Sequence, residues 1–171
     1  MKVNLSSSGL VYNPSICKGK VRKMMLRELN DTQIEDLLKN QLIGRIGCHS
    51  DGITYVVPVN YIYDGLNIYC HSGKGMKINL MRKNPEVCFE VDEIKEITNW
   101  QSVIAWGQFE EITAIDEKQQ VMQKLINRIM PHIVDDSVPP SHGFVDEEGD
   151  TVELIIYKIV ITRKTGRFEK R

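Results

Sequence analysis

A chain of 171 residues, 42% of them apolar and 26% charged, is long enough for one domain with its own core and has the balance of an ordinary globular protein. Its net charge of −1 and pI near 6.4 supply no global basic field for nucleic acid. No apolar run approaches the roughly 18 residues of a membrane span, and the opening MKVNLSSSGLVYN lacks a secretory apolar stretch, so the expected location is the cytoplasm.

Residues 1–23 are polar and aperiodic, with Ser6-Ser7-Ser8-Gly9 and Pro14, and are expected to form an arm; residues 24–171 are expected to form a single domain. NDTQIEDLLKNQL then places Ile34, Leu37, Leu38 and Leu42 on one helical face, with Asn30, Asp31 or Thr32 as N-cap and an end near Gly44. After it the period changes to two. IGRIGCHS reads as a strand, SDG at 50–52 as a turn, and ITYVVPVNYIY as one long strand. Asp64-Gly65 makes a hairpin turn into LNIYCH. A short helix over MKINLMRK is expected before Asn84-Pro85. EVCFEVD alternates cleanly, and SVIAWGQFEEIT is another strand with a bulge expected at Gly107. DEKQQVMQKLINRIMP carries an apolar stripe of Val121, Met122, Leu125, Ile126, Ile129 and Met130, with Asp116 and Gln119 spaced as a capping box. Residues 131–150 read as loop, TVELIIYKIVITR as the last strand and RKTGRFEKR as a basic tail whose Arg163 or Arg167 could close over a phosphate. Six strands joined mainly by hairpins, with few and peripheral helices, predict a mainly β fold: a six-stranded antiparallel barrel, not a parallel doubly wound sheet.

The four cysteines, Cys17, Cys48, Cys70 and Cys88, form no C-x-x-C pair and join no histidine cluster, so reduced thiols and no metal site are expected. His49, His132 and His142 are isolated. Glu110-Glu111 would point to opposite faces of a strand, and Ser141-His142 lacks the orienting third group of a nucleophile.

The chemistry concentrates in YCHSGKGMKINLMRKNP, residues 69–85. Gly73-Lys74-Gly75 completes neither a dinucleotide fingerprint nor a P-loop. Two alternatives stand: a phosphate held by Ser72, Lys77 and a helix N-terminus opening at Gly75-Met76, or a turn that is merely basic. Pro58, mid-strand in VVPVNY, removes a ladder donor and marks an edge beside which a planar ring could use free backbone groups; a plain edge strand is the other reading.

The ordered series GRIG, ITYVVPVNYIYDG, HSGKGMK, NPEVCFEVD and SVIAWGQFEEI resembles the pyridoxamine 5′-phosphate oxidase-like family of FMN-binding split barrels, nearest the branch of the nitroimidazole-resistance proteins, over about residues 26–168. The resemblance implies a homodimer with cofactor sites at the subunit interface. It implies FMN against the strand of Pro58, Val59, Asn60 and Tyr61, with Ser72 and Lys77 at the phosphate and His71 at the ring or substrate side as candidate catalytic residue. Gln101, Ser102 and Trp106 would reach the site from the other subunit. FAD and haem are the alternative cofactors. The implied activity is flavin-dependent reduction of a small electrophile such as a nitroaromatic, with a nicotinamide as possible reductant. A non-catalytic flavin- or haem-binding protein is the rival. Oxidation of pyridoxamine phosphate fits less well, because VVPVNY lacks the basic strand motif of those oxidases and the tail lacks their tryptophan.

Overall fold

The computed structural model describes residues 26–132 and 154–170. The expected arm, Cys17, Ser141 and His142 lie outside the described residues. In chain order the elements are β1 (Arg27–Glu28), α1 (Asp31–Asn40), β2 (Ile43–Ser50), β3 (Ile53–Asn60), β4 (Ile62–Tyr63), β5 (Asn67–Ser72), α2 (Met76–Lys83), β6 (Glu86–Glu96), β7 (Asn99–Glu111), α3 (Ile115–Ile129), a 3₁₀ turn at Met130–His132, and β8 (Ile155–Lys170). One eight-stranded antiparallel sheet runs β3-β2-β6-β7-β8-β5-β4, with β1 paired to β8. All six expected strands are present. No helix among the described residues is long and apolar enough to cross a membrane.

The sheet curls around one core but does not close. Its two outermost strands, β3 and β4, are separated in the chain by Tyr61 alone. The expected single strand over 53–63 is therefore broken here: β3 pairs with β2 through Asn60↔Ile43, and β4 pairs with β5 through Ile62↔Tyr69. Tyr61 is fully buried, donates its hydroxyl to Leu38 O at 2.8 Å and meets Phe89 edge to face at 4.8 Å. Burial pushes its phenol well above the ordinary tyrosine value.

α1 plugs one end of the barrel with Ile34, Leu37 and Leu38. Asn30 is its N-cap and forms a reciprocal capping box with Gln33, both bonds 3.0 Å. Its last carbonyls are held from outside, since an Arg128 Nη atom donates to Lys39 O and, at 2.8 Å, to Gln41 O. That clip ends the helix at Asn40, short of the expected Gly44.

Two other elements depart from expectation. The capping box at Asp116 does not form: α3 starts earlier, with Ala114 as N-cap and no side-chain cap bond. Asp116 and Glu117 instead sit in its first turn, where negative charge favours the helix dipole. RKTGRFEKR is no solvated tail, since β8 continues to Lys170 and pairs with β7 along its length. The expected bulge at Gly107 is present: Trp106 pairs with Arg163 and Gly107 with Ile161, leaving Thr162 without a partner in the ladder.

Tyr61 offers a direct test of the pivot. Tyr61→Phe strands the Leu38 carbonyl and is expected to cost about 1–3 kcal/mol, whereas Tyr61→Ala empties the pivot and should cost about 3–5 kcal/mol, as a buried aromatic deletion does. Urea unfolding checks both; a Tyr61→Ala loss no larger than that of Tyr61→Phe would show that the ring does not hold the two edges together.

Candidate functional site

Alternation on β5 sends Ile68 and Cys70 into the core and Asn67, Tyr69 and His71 to the other face. That second face is not an open groove throughout, because α3 covers part of it. Tyr69 packs with Val121, Leu125 and Ile156 in a second apolar cluster. His71, next along, is half-buried, and its Nδ1 is enclosed without a hydrogen-bond partner.

The chain then turns through Ser72–Gly75 into α2, which is anchored by Ile78, Leu80 and Met81. The N-terminus of α2 has no side-chain cap and no acidic residue in its first turn. Gly75 is extended, and a Cβ built there meets nothing within 4 Å, so space lies open above the first-turn N–H groups. Ser72 sits beside this opening, its hydroxyl donating to Gly73 O at 2.9 Å.

Lys77 turns its ammonium over the ring of Tyr157, 5.9 Å from the centroid. Tyr157 is fully buried, and its hydroxyl has no hydrogen-bond partner. Among the described residues no carboxylate forms an ion pair with Lys77. Burial holds the Lys77 ammonium below the ordinary lysine range, with the Cys70 and Cys48 thiols opposing the shift. Burial also holds the His71 imidazole down, and the Lys77 charge pushes it further the same way. Cys70, wholly enclosed, is raised to about 12. A desolvated, unneutralised lysine, with an imidazole held toward its neutral form beside it, stands next to an uncapped helix N-terminus. This arrangement suits an anion.

The other expected site residues divide by strand face. Pro58 and Asn60 on the edge strand β3 point outward, on the face shared with Ser102 and Trp106 of β7. Val59 and Tyr61 point inward and belong to the core, so their side chains are not open to a ligand. Gln101 donates to Glu93 Oε2 at 2.8 Å. Arg163 lies 4.0 Å from the Trp106 ring centroid, stacked on it, which is where the sequence had left it free to meet a phosphate. Within one protomer Gln101 stays apart from the loop. His71 pairs with Ile156, near Glu111 at one end of β7, while Gln101 lies near the other end, roughly 30 Å away at about 3.3 Å per residue.

The two other motifs are ion pairs and a turn. Glu110 faces Lys158 at 3.4 Å, Glu111 takes a fork from Arg82 at 2.5 and 2.9 Å, and His49 Nδ1 lies 2.9 Å from Thr54 Oγ1. Cys48 and Cys70 are buried free thiols, as expected, and Cys88 is half-buried. Tyr157 was not singled out from sequence. It lies eighty positions from Lys77, and only the β5–β8 pairing Cys70↔Tyr157 brings its ring beneath the loop.

An antiparallel split barrel with an anion-receptive loop between its fifth strand and second helix is the class that fold and site define. The chain belongs to the pyridoxamine 5′-phosphate oxidase family, whose model matches residues 30–167. Among solved structures it is similar to a FAD-binding protein from Mesorhizobium loti, with 26% identity, 86% of this chain and 100% of that chain covered, and a TM-score of 0.66. It shares its fold with a 5-nitroimidazole antibiotic resistance protein from Bacteroides thetaiotaomicron, at 22% identity, 85% and 88% coverage and a TM-score of 0.61. An uncharacterised protein of Rhizobium meliloti (strain 1021) is 31% identical over 91 residues, which are 53% of this chain and 60% of that relative's length.

The buried imidazole makes stability depend on pH. Below its ordinary value of 6.5 the unfolded chain takes up a proton that the folded chain resists, so stability falls as pH drops and levels off below the lowered folded value. Between about pH 7 and about pH 5 the protein should lose stability more steeply than His71→Gln, by at most about 1.4 kcal/mol per pH unit. Urea midpoints measured across that range check this; parallel curves would mean that the imidazole is solvated.

Proposed function

We propose that the chain is a homodimeric FMN-dependent oxidoreductase that reduces a small electrophilic acceptor, with a nitroaromatic such as a 5-nitroimidazole as the acceptor to test. The observation that carries this reading is the desolvated, unneutralised Lys77 beside the uncapped N-terminus of α2. A terminal phosphate would neutralise Lys77 and accept from the first-turn N–H groups and the Ser72 hydroxyl, which would turn from Gly73 O. The orphaned Nδ1 of His71 gives a second polar group on the same loop. When bound, the flavin would supply hydride or electron transfer between a nicotinamide reductant and the acceptor.

The chain's own groups then have separate tasks. Lys77 and Ser72 fix the phosphate. His71, with a pKa held down by its surroundings, could give a proton to the acceptor or hydrogen-bond the cofactor. The edge beside Pro58 and Asn60 offers backbone groups to a planar ring. Gln101, Ser102 and Trp106 would serve the site of the second subunit, as the family resemblance implies. FMN is favoured over FAD because the receptive groups suit one terminal phosphate.

Dimerisation is supported by apolar surface on the outer sheet face, where Ile43 is 57% and Val56 60% exposed beside Pro58. Light scattering at micromolar concentration should report about twice the 19.6 kDa chain mass. A monomer that still binds FMN would remove the shared site.

The phosphate assignment is tested by comparing FMN with riboflavin. Lys77→Ala should weaken FMN by about tenfold to a hundredfold, the loss of a charge-assisted contact worth roughly 1.5–3 kcal/mol, and leave riboflavin nearly unchanged. Fluorescence quenching titrations give both constants. Equal losses would make Lys77 a determinant of folding instead.

A further inference from the structure

At the far end of β8 lies a buried carboxylate that the flavin reading does not use. Glu169 is 5% exposed, and its Oε1 has no hydrogen-bond partner. It borders a cavity of about 110 Å³ between the β6–β7 hairpin and the end of β8. Trp100, its ladder partner, and Phe168 supply aromatic lining, and Gln101 and Glu93 complete the polar side.

The other charges at this cavity do not neutralise Glu169. Glu93 already accepts from Gln101 at 2.8 Å and faces Lys95 at 3.3 Å. Lys95 is 61% exposed, and Lys170 is exposed next in the chain. Among the described residues neither forms an ion pair with Glu169. A carboxylate held out of water without a cation is costly, and the natural remedy is a cation brought by a ligand.

The lining selects the kind of cation. Among the described residues no group of three or more His, Cys, Asp or Glu side chains could hold a metal ion. The indole of Trp100, directly across the ladder from Glu169 and on the same face, suits an organic cation that pairs with the acid and lies against an aromatic face. The volume is far below the roughly 300–1,000 Å³ of pockets that take a whole cofactor or drug-sized molecule, so it admits a headgroup.

We propose that this cavity is a binding site for a compact organic cation, an alkylammonium or guanidinium group, held by Glu169 against Trp100. The cation comes either from a free amine or from a lysine or arginine side chain of a second copy of this chain. Gln101, which lines the cavity, is among the residues the resemblance assigns to the second subunit's cofactor site, but the proposal rests on Glu169 and Trp100 and stands if the flavin reading fails.

The test uses the full chain with n-butylammonium and methylguanidinium as probes, sodium chloride at equal ionic strength as control, and titration calorimetry as readout. Self-association is followed in parallel by sedimentation. A free-amine site gives saturable binding that Glu169→Gln and Trp100→Leu each weaken at least tenfold. A site filled by a second copy gives no probe binding, but self-association that Glu169→Gln weakens at least tenfold. Trp100→Leu keeps the test decisive if Glu169→Gln does not fold. Probe binding that neither variant weakens, or the absence of both probe binding and Glu169-dependent self-association, overturns the proposal.

Discussion

The barrel depends on one residue crossing from one edge of the sheet to the other. β3 ends at Asn60 and β4 begins at Ile62, yet the two strands stand at opposite ends of the strand order. Tyr61 must leave one ladder and enter the other within a single step. Its backbone N–H still reaches Leu42 O at 3.4 Å, in register with the β2–β3 ladder just beyond Ile43↔Asn60, while its hydroxyl reaches Leu38 O on α1. A buried polar group has to find a partner, and here the partners are the helix that plugs the barrel and the segment joining that helix to β2. The split, the plug and the closed core are thus consequences of the same anchoring.

That split also determines where ligand-facing groups can lie. An unclosed sheet leaves β3 with an outer edge, and its alternation puts Pro58 and Asn60 out while Val59 stays in. On the other side of the barrel, Cys70 of β5 and Tyr157 of β8 form an apolar floor under Lys77. The same floor that desolvates the ammonium gives it a ring face in place of a carboxylate. A cation stabilised by a ring keeps its capacity for a full negative charge, whereas one already paired with an aspartate would have to give that partner up. The anion-receptive character of the loop therefore comes from what β8 places beneath it as much as from its glycines.

Much of this was legible in local pattern. The change of period after α1 marked the strands, Asp64-Gly65 marked a hairpin, MKINLMRK bounded α2, and Ser72, Lys77 and His71 stood out as a polar cluster. What escaped was set by distant pairings. Pro58 marks an edge in VVPVNYIY, but nothing there places a break at Tyr61; the break goes with the Leu38 carbonyl that takes that side chain's hydroxyl. Arg128, which clips the carboxyl end of α1, acts across a distance that no helical period reports. Glu169 read as part of a charged tail because the alternation that marks a strand changes phase at Thr162, upstream of it.

That change of phase is the bulge at Thr162, whose hydroxyl donates to Trp106 O at 3.1 Å. Before it, Tyr157 and Ile159 face the core; after it, Gly166 and Phe168 do, while Arg163 and Arg167 face outward. Gly166 lies so close to Leu29 and Ile34 that an added Cβ would come within 2.9 Å of both. The extra residue is thus a phase shifter, and the chain length at this point is not free to drift. Loss of one residue here would turn Arg163 and Arg167 toward the interior and Phe168 toward the outer face, exchanging the faces of the distal strand. Single-residue insertions and deletions that a surface loop absorbs without consequence would here rewrite which residues are inside, so the length of β8 carries as much information as its composition.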